Sequence, residues 1–187
     1  METNFDRSMA FVFSVEGGYS DDANDPGGIT NHGITIAEWQ LYVGQQMLVD
    51  DGVMRALTED DVRPLYHSHY WLASRCQDLP AGVDLMVMDA SVNTGCGRSI
   101  RSLQTLVGPT AVVAGVERQV AVDGIMGPVT LAAVAQMDPV DLISRLASRR
   151  LAFYQGLPTW PDFGHGWSNR ITLARSAALN LIGGASS

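Results

Sequence analysis

Glu16 is the natural starting point for a chemical reading: it opens Glu16-Gly17-Gly18-Tyr19 and is followed within nine residues by Asp21, Asp22 and Asp25. Hydrolysis of a glycoside needs a protonated carboxylic acid at the leaving oxygen. It also needs a carboxylate that activates water or steadies an oxocarbenium-like centre. Glu16 and one of these aspartates would supply that pair if the loop carrying them folds back over Glu16, and the hydroxyls of Thr30 and Thr35 follow closely. By residue type alone, a lone glutamate on a helix is ordinarily a solvated surface charge. The glycine pair and the acidic loop weigh against that default without displacing it.

The acidic loop also invites a metal reading. Counted from Asp22, a calcium loop wants oxygen ligands at its first, third and fifth positions, glycine at the sixth and glutamate at the twelfth. Asn24 and Gly27 comply, but Pro26 and Gly33 occupy the fifth and twelfth, so no metal and no cofactor are expected. His67 and His69 stand two apart on an expected helix and point away from each other, and there is no His-Glu-x-x-His string. Cys76 and Cys96 are too few for a disulfide scaffold and are expected to be reduced and buried. Of the aromatics, Tyr19 is the one placed beside Glu16 and is expected to line a site; Trp39, Tyr70, Trp71, Trp160 and Trp167 suit a sugar face or a core equally by type.

The elements that hold these residues are mainly helical. Phe5, Met9, Val12 and Phe13 fall on one helical face, and Gly17-Gly18 end that helix. Glu16 then sits in the last turn, where the helix dipole opposes a negative charge. Ser20 to Asn31 is nearly pure turn chemistry, and the alternating Gly33-Ile34-Thr35-Ile36 predicts a long loop or small hairpin. Thr35 with Glu38, and Thr58 with Asp61, read as capping boxes, the second opening a helix through Tyr66, Tyr70 and Trp71 that Pro64 bends. Helices are predicted over Val83 to Val92, Arg98 to Val107, Pro128 to Gln136 and Asp138 to about Gln155, with a last helix that follows Trp160 to Trp167 and ends near Gly183. Gly108 to Val120 reads as an irregular connection.

The chain has 187 residues, of which 46% are hydrophobic, enough for one compact domain. Twelve basic against twenty acidic residues leave a net charge of -8, which argues against nucleic acid and gives no overall attraction to an anionic wall. The acidic N-terminus does not read as a signal peptide, so none is expected, and no apolar run reaches membrane-spanning length.

The strings Glu16-Gly17-Gly18-Tyr19-Ser20-Asp21-Asp22, Asn24-Asp25-Pro26-Gly27-Gly28 and Thr30-Asn31-His32-Gly33-Ile34-Thr35 resemble the signature of glycoside hydrolase family 108, the phage and bacterial muramidases. Tyr70-Trp71, Leu79 to Asp84, Asp89 to Gly95, Leu103-Gln104 and Gly166 to Arg170 agree in order, so the resemblance spans nearly the whole chain. It implies a lysozyme-like, mainly α domain with a small loop or hairpin segment after the first helix, its catalytic lobe over about 1-95. A helical, peptidoglycan-binding-like lobe is implied over about 96-187.

The resemblance also makes Glu16 the essential acid. Asp25 and Thr30 would hold the attacking water, with Asn31 and Thr35 as rivals for the third position because the spacing is one residue shorter than in phage-type lysozymes. Tyr19, Asp22, Asn31, Thr35, Trp71 and Asn93 are the expected substrate contacts. The segment Val122 to Thr130 is similar to small peptidoglycan-binding modules and equally suits a well-made structural turn. The implied activity is cleavage of the β-1,4 bond between N-acetylmuramic acid and N-acetylglucosamine. The implied setting is a monomeric phage endolysin, made in the host cytoplasm, released with the help of a holin and acting in the periplasm. A lytic transglycosylase and a non-catalytic wall-binding protein are the alternatives.

Overall fold

The computed structural model describes residues 2–21 and 28–183, and the chain divides into two compact units, Met9–His69 and Met1–Ser8 with Tyr70–Ser187. The first helix, α1 (Glu2–Val15), contributes to both.

In the Met9–His69 unit, α1 gives way to a hairpin of β1 (Thr30–Asn31) and β2 (Ile34–Thr35), paired antiparallel with Thr30 opposite Thr35 and Asn31 opposite Ile34. Its two turn residues, His32 and Gly33, both have positive φ (49° and 75°). This is the turn geometry that matches the twist of a tight hairpin. Ser20 adds a bridge on the outer side of Thr30, each residue donating its N–H to the other's carbonyl at 2.9 Å. Two expected capping boxes are present: Thr35 with Glu38 opens α2 (Ile36–Val43), and Thr58 with Asp61 opens α4 (Glu59–Tyr66). Asp50 caps the short α3 (Asp51–Ala56) between them. Pro64 lies inside α4, and beyond it His67–Leu72 winds as a π-helical turn. Val12, Ile34, Met54, Val62 and Tyr66 are completely buried.

The other unit is organised around α5 (Val83–Thr94), which is buried from Val83 through Asp89 and is apolar there except for Asp84 and Asp89, as suits a helix enclosed by neighbours. It packs on α6 (Cys96–Gln104), α8 (Pro139–Gln155) and α9 (Trp160–Gly183). Gly82, at φ 82°, lets α5 start against α9: a Cβ there would stand 2.4 Å from the Ala178 carbonyl oxygen. Within the enclosed helix, Asp89 binds Arg150 of α8 and Arg170 of α9, the latter at 2.7 and 3.0 Å. Burial alone would raise the Asp89 carboxyl, but the two guanidinium charges outweigh it and hold the group below its ordinary value.

Three expectations are corrected here. Gly108 to Val120 is a hairpin, β3 (Thr110–Val113) with β4 (Val116–Gln119), turned by Ala114 and Gly115 at φ 50° and 78°. The last helix begins at Trp160, because Gly164 has no side chain to meet the Trp160 ring; a Cβ there would stand 2.6 Å from it. Cys76 is buried, but Cys96 is only half-buried; neither is in a disulfide. Pro128 opens α7 (Pro128–Val134) as expected.

Candidate active site

The end of α1 carries Glu16 against the His32-Gly33 turn. Its N–H still reaches the Val12 carbonyl at 2.9 Å, so it occupies the position just past the helix, and its side chain is half-buried. A Cβ on Gly33 would stand 2.9 Å from Glu16 Oε2, 3.0 Å from its carboxyl carbon and 2.9 Å from the Tyr66 hydroxyl. Glycine is therefore required at 33 twice over, for the positive φ and because a side chain would displace the carboxyl. Tyr66 is fixed in turn. Its hydroxyl donates to the His32 carbonyl at 2.8 Å, and its ring meets Phe13 edge-on at 5.7 Å.

One flank of Glu16 is thus built from a buried phenol and the hairpin backbone. Among the described residues, a Cβ on Gly17 or Gly18 would meet nothing within 4 Å. A carboxyl held in place by such a seat is what a proton donor to a leaving group requires.

The hairpin places three other expected residues in the same unit. The Asn31 amide is buried and donates to the carbonyls of Met54 (2.7 Å) and Leu57 (3.3 Å), tying the hairpin to the end of α3. The Thr35 hydroxyl accepts from the Glu38 N–H at 3.1 Å and donates to its carboxylate at 2.8 Å, so it is engaged in capping α2. Thr30 is half-buried, its backbone held by Ser20 and Thr35. Asp22 and Asp25 lie outside the described residues.

Tyr19 donates to Asp51, and the Arg55 guanidinium lies over its ring at 4.0 Å while also binding Asp51 at 2.9 Å. The bond to Asp51 pushes the Tyr19 phenol up to about 12, and the bonds from Tyr19 and Arg55 hold Asp51 below the usual carboxylate range.

Two expected contacts belong to the other unit. Trp71 is 2% exposed and packs on Phe5 at 5.5 Å, so it is a core residue without a face for a sugar. Asn93 is exposed and lines an open cleft of about 370 Å³ with Arg98, Phe153 and Trp167. The sequence reading missed Tyr66, Asp51 and Arg55 as neighbours of site residues, because nothing local marks a contact across tens of residues. His32-Gly33, a glycine-bearing pair between two short alternating runs, was the available signal for the turn. Among the described residues, no three His, Cys, Asp or Glu side chains converge as metal ligands, and no helix is long and apolar enough to cross a membrane.

Residues 9–95 match the family model for glycosyl hydrolase 108, and residues 98–172 match that of a predicted peptidoglycan domain. The chain belongs to glycosyl hydrolase family 108. It is also similar to the solved structure of Brucella abortus SagA, at 38% identity and a TM-score of 0.82 over 97% of each chain. No curated protein matches it. The mainly α, lysozyme-like architecture expected from the family is the one observed. The two matched segments together make the chain a glycoside hydrolase that acts on peptidoglycan. Their junction falls just after Gly95, in the first turn of α6, whereas the compact units divide elsewhere. Helix α5 matches the hydrolase model yet packs with the helices of the second segment.

Proposed function

We propose that the chain is a muramidase, hydrolysing the β-1,4 bond between N-acetylmuramic acid and N-acetylglucosamine with Glu16 as proton donor. The observation that carries this is the seat of Glu16 against Gly33 and the Tyr66 hydroxyl. That seat orients the carboxyl for proton transfer to the glycosidic oxygen. Asp25, with Thr30 as its hydroxyl partner, completes the water-activating set. Asn31 and Thr35 are weaker partners because their side chains already serve the hairpin and the helix cap. The catalytic role falls to residues up to about 95 and wall binding to those beyond. The biological setting in this reading is lysis: a monomeric endolysin of phage type, passing a holin-permeabilised membrane to reach the periplasmic wall.

Glu16→Gln keeps the shape and removes the acid. We expect clearing of purified Gram-negative sacculi to fall by at least about 100-fold. Clearing at the parental rate would overturn the assignment. Mass spectrometry of the parental digest should show reducing muramic ends. Anhydro products, lighter by one water, would replace hydrolysis with transglycosylation.

A further inference from the structure

All twelve basic residues of the chain are arginines, and they are unevenly placed. The Met9–His69 segment has two against ten acidic residues, whereas the rest has ten against ten. Four of them, Arg98 and Arg101 on α6 and Arg145 and Arg149 on α8, line an open groove of about 870 Å³ within the second unit. Their spacings, i to i+3 and i to i+4, put each pair on one face of its helix, and all four are exposed. Leu106, Ala152 and Phe153 supply apolar lining between them, and Arg98 lies over the Phe153 ring at 4.6 Å. The acidic groups nearby are Asp141, which meets Arg145 at 3.5 Å in a half-exposed pair of little strength, and Asp123, which feels Arg101.

The Val122–Thr130 segment, which the sequence offered as a binding motif, is engaged inward. The Gln104 amide donates to Asp123 (2.9 Å), to the Ile125 carbonyl (3.0 Å) and to Thr130 (3.2 Å), and its oxygen accepts from the Gly124 N–H (2.9 Å). A Cβ on Gly124 would stand 2.8 Å from the Gly97 carbonyl oxygen. The motif therefore fastens α6 to α7.

We propose that the arginine groove between α6 and α8 is the wall-binding surface, and that it takes the carboxylates of the peptide stems carried by peptidoglycan. The proposal rests on the peptidoglycan reading above. Planar guanidinium groups bind carboxylates through paired hydrogen bonds, and the apolar floor suits the aliphatic part of a stem peptide. The groove also supplies the attraction that net charge withholds, since the unit carrying Glu16 is itself strongly acidic and repels an anionic polymer.

The test is co-sedimentation of the full-length, catalytically silenced Glu16→Gln chain with purified sacculi at low and high salt. Arg145→Gln/Arg149→Gln, and separately Arg98→Gln, are introduced in that background, with Arg118→Gln on β4 as control. Arg101 is left in place because it packs on Gly124. We expect the α8 pair to weaken retention about tenfold at low salt, Arg98→Gln to weaken it less, and the control to match the parent. Sacculi with amidated stem carboxyls should bind the parent as weakly as the α8 variant does. Equal retention of both groove variants, or undiminished binding to amidated sacculi, would overturn the proposal. So would retention abolished by added lipopolysaccharide but not by amidation, since phosphate would then be the ligand. Failure of the parent enzyme to release reducing ends would refute the muramidase reading alone and leave the binding result standing.

Discussion

The two units of this chain solve the problem of polar groups in different ways. In Met9–His69, polar side chains secure short elements that are too small to bury themselves: Asn31 holds the hairpin, Thr35, Asp50 and Thr58 cap helices, and the hydroxyl of Tyr66 braces the turn beneath Glu16. The other unit relies on a largely apolar central helix that buries two carboxyls, Asp84 at its start and Asp89 in a triad with Arg150 and Arg170. The difference teaches that the unit with the candidate catalytic acid is held by many replaceable local ties, whereas its neighbour depends on a few interactions that cannot be removed singly.

The sharpest way to break that comparison is Asp89→Ala. It removes the buried carboxylate that binds Arg150 and Arg170, whose side chains are 6% and 13% exposed, and should cost about 3–5 kcal/mol in urea unfolding. A loss under 1 kcal/mol would show that the triad is not central to its unit. The pH dependence has a definite sign. Because the folded Asp89 carboxyl lies below its ordinary value, its contribution is fully present above the unfolded value of about 4 and is lost as pH falls through the lower folded value. Acid unfolding of the variant should therefore be shallower than that of the parent.

Next in size for stability, and large for activity, is Gly33→Ala. The left-handed turn costs a non-glycine residue roughly 1–2 kcal/mol, and the new methyl displaces the Glu16 carboxyl. Clearing of sacculi should drop by about 100-fold, more than the modest destabilisation explains. Full activity in a folded variant would remove Gly33 from the site. The smallest effect is expected at a single tie of the acidic unit. Thr58→Ala should cost about 1 kcal/mol by thermal or urea unfolding, with activity kept, because it removes one cap from α4. A loss comparable to that of Asp89→Ala would erase the contrast between the units.

Local signals were readable where a few adjacent residues decide the outcome. Capping boxes at Thr35 and Thr58, proline at the start of α7 and α8, and the apolar periodicity of α1 each act within one or two turns. Ala114 and Gly115 show where that legibility stops: glycine marks a turn, but whether the flanks pair or wander depends on what covers them. Trp71 shows the same limit from the other direction, since an aromatic suits a groove and a core equally until its neighbours are known.

For Glu16 the sequence by itself determined the residue, its place at the end of a helix before two glycines, and the family to which its motif belongs. Only the tertiary structure decided what the carboxyl rests on, because Gly33 and Tyr66 reach it across seventeen and fifty residues. The same holds for the arginines of α6 and α8. Their composition and helical spacing are written in the chain, but facing across one groove is a property of helix packing, which depends on contacts between elements that no local pattern encodes.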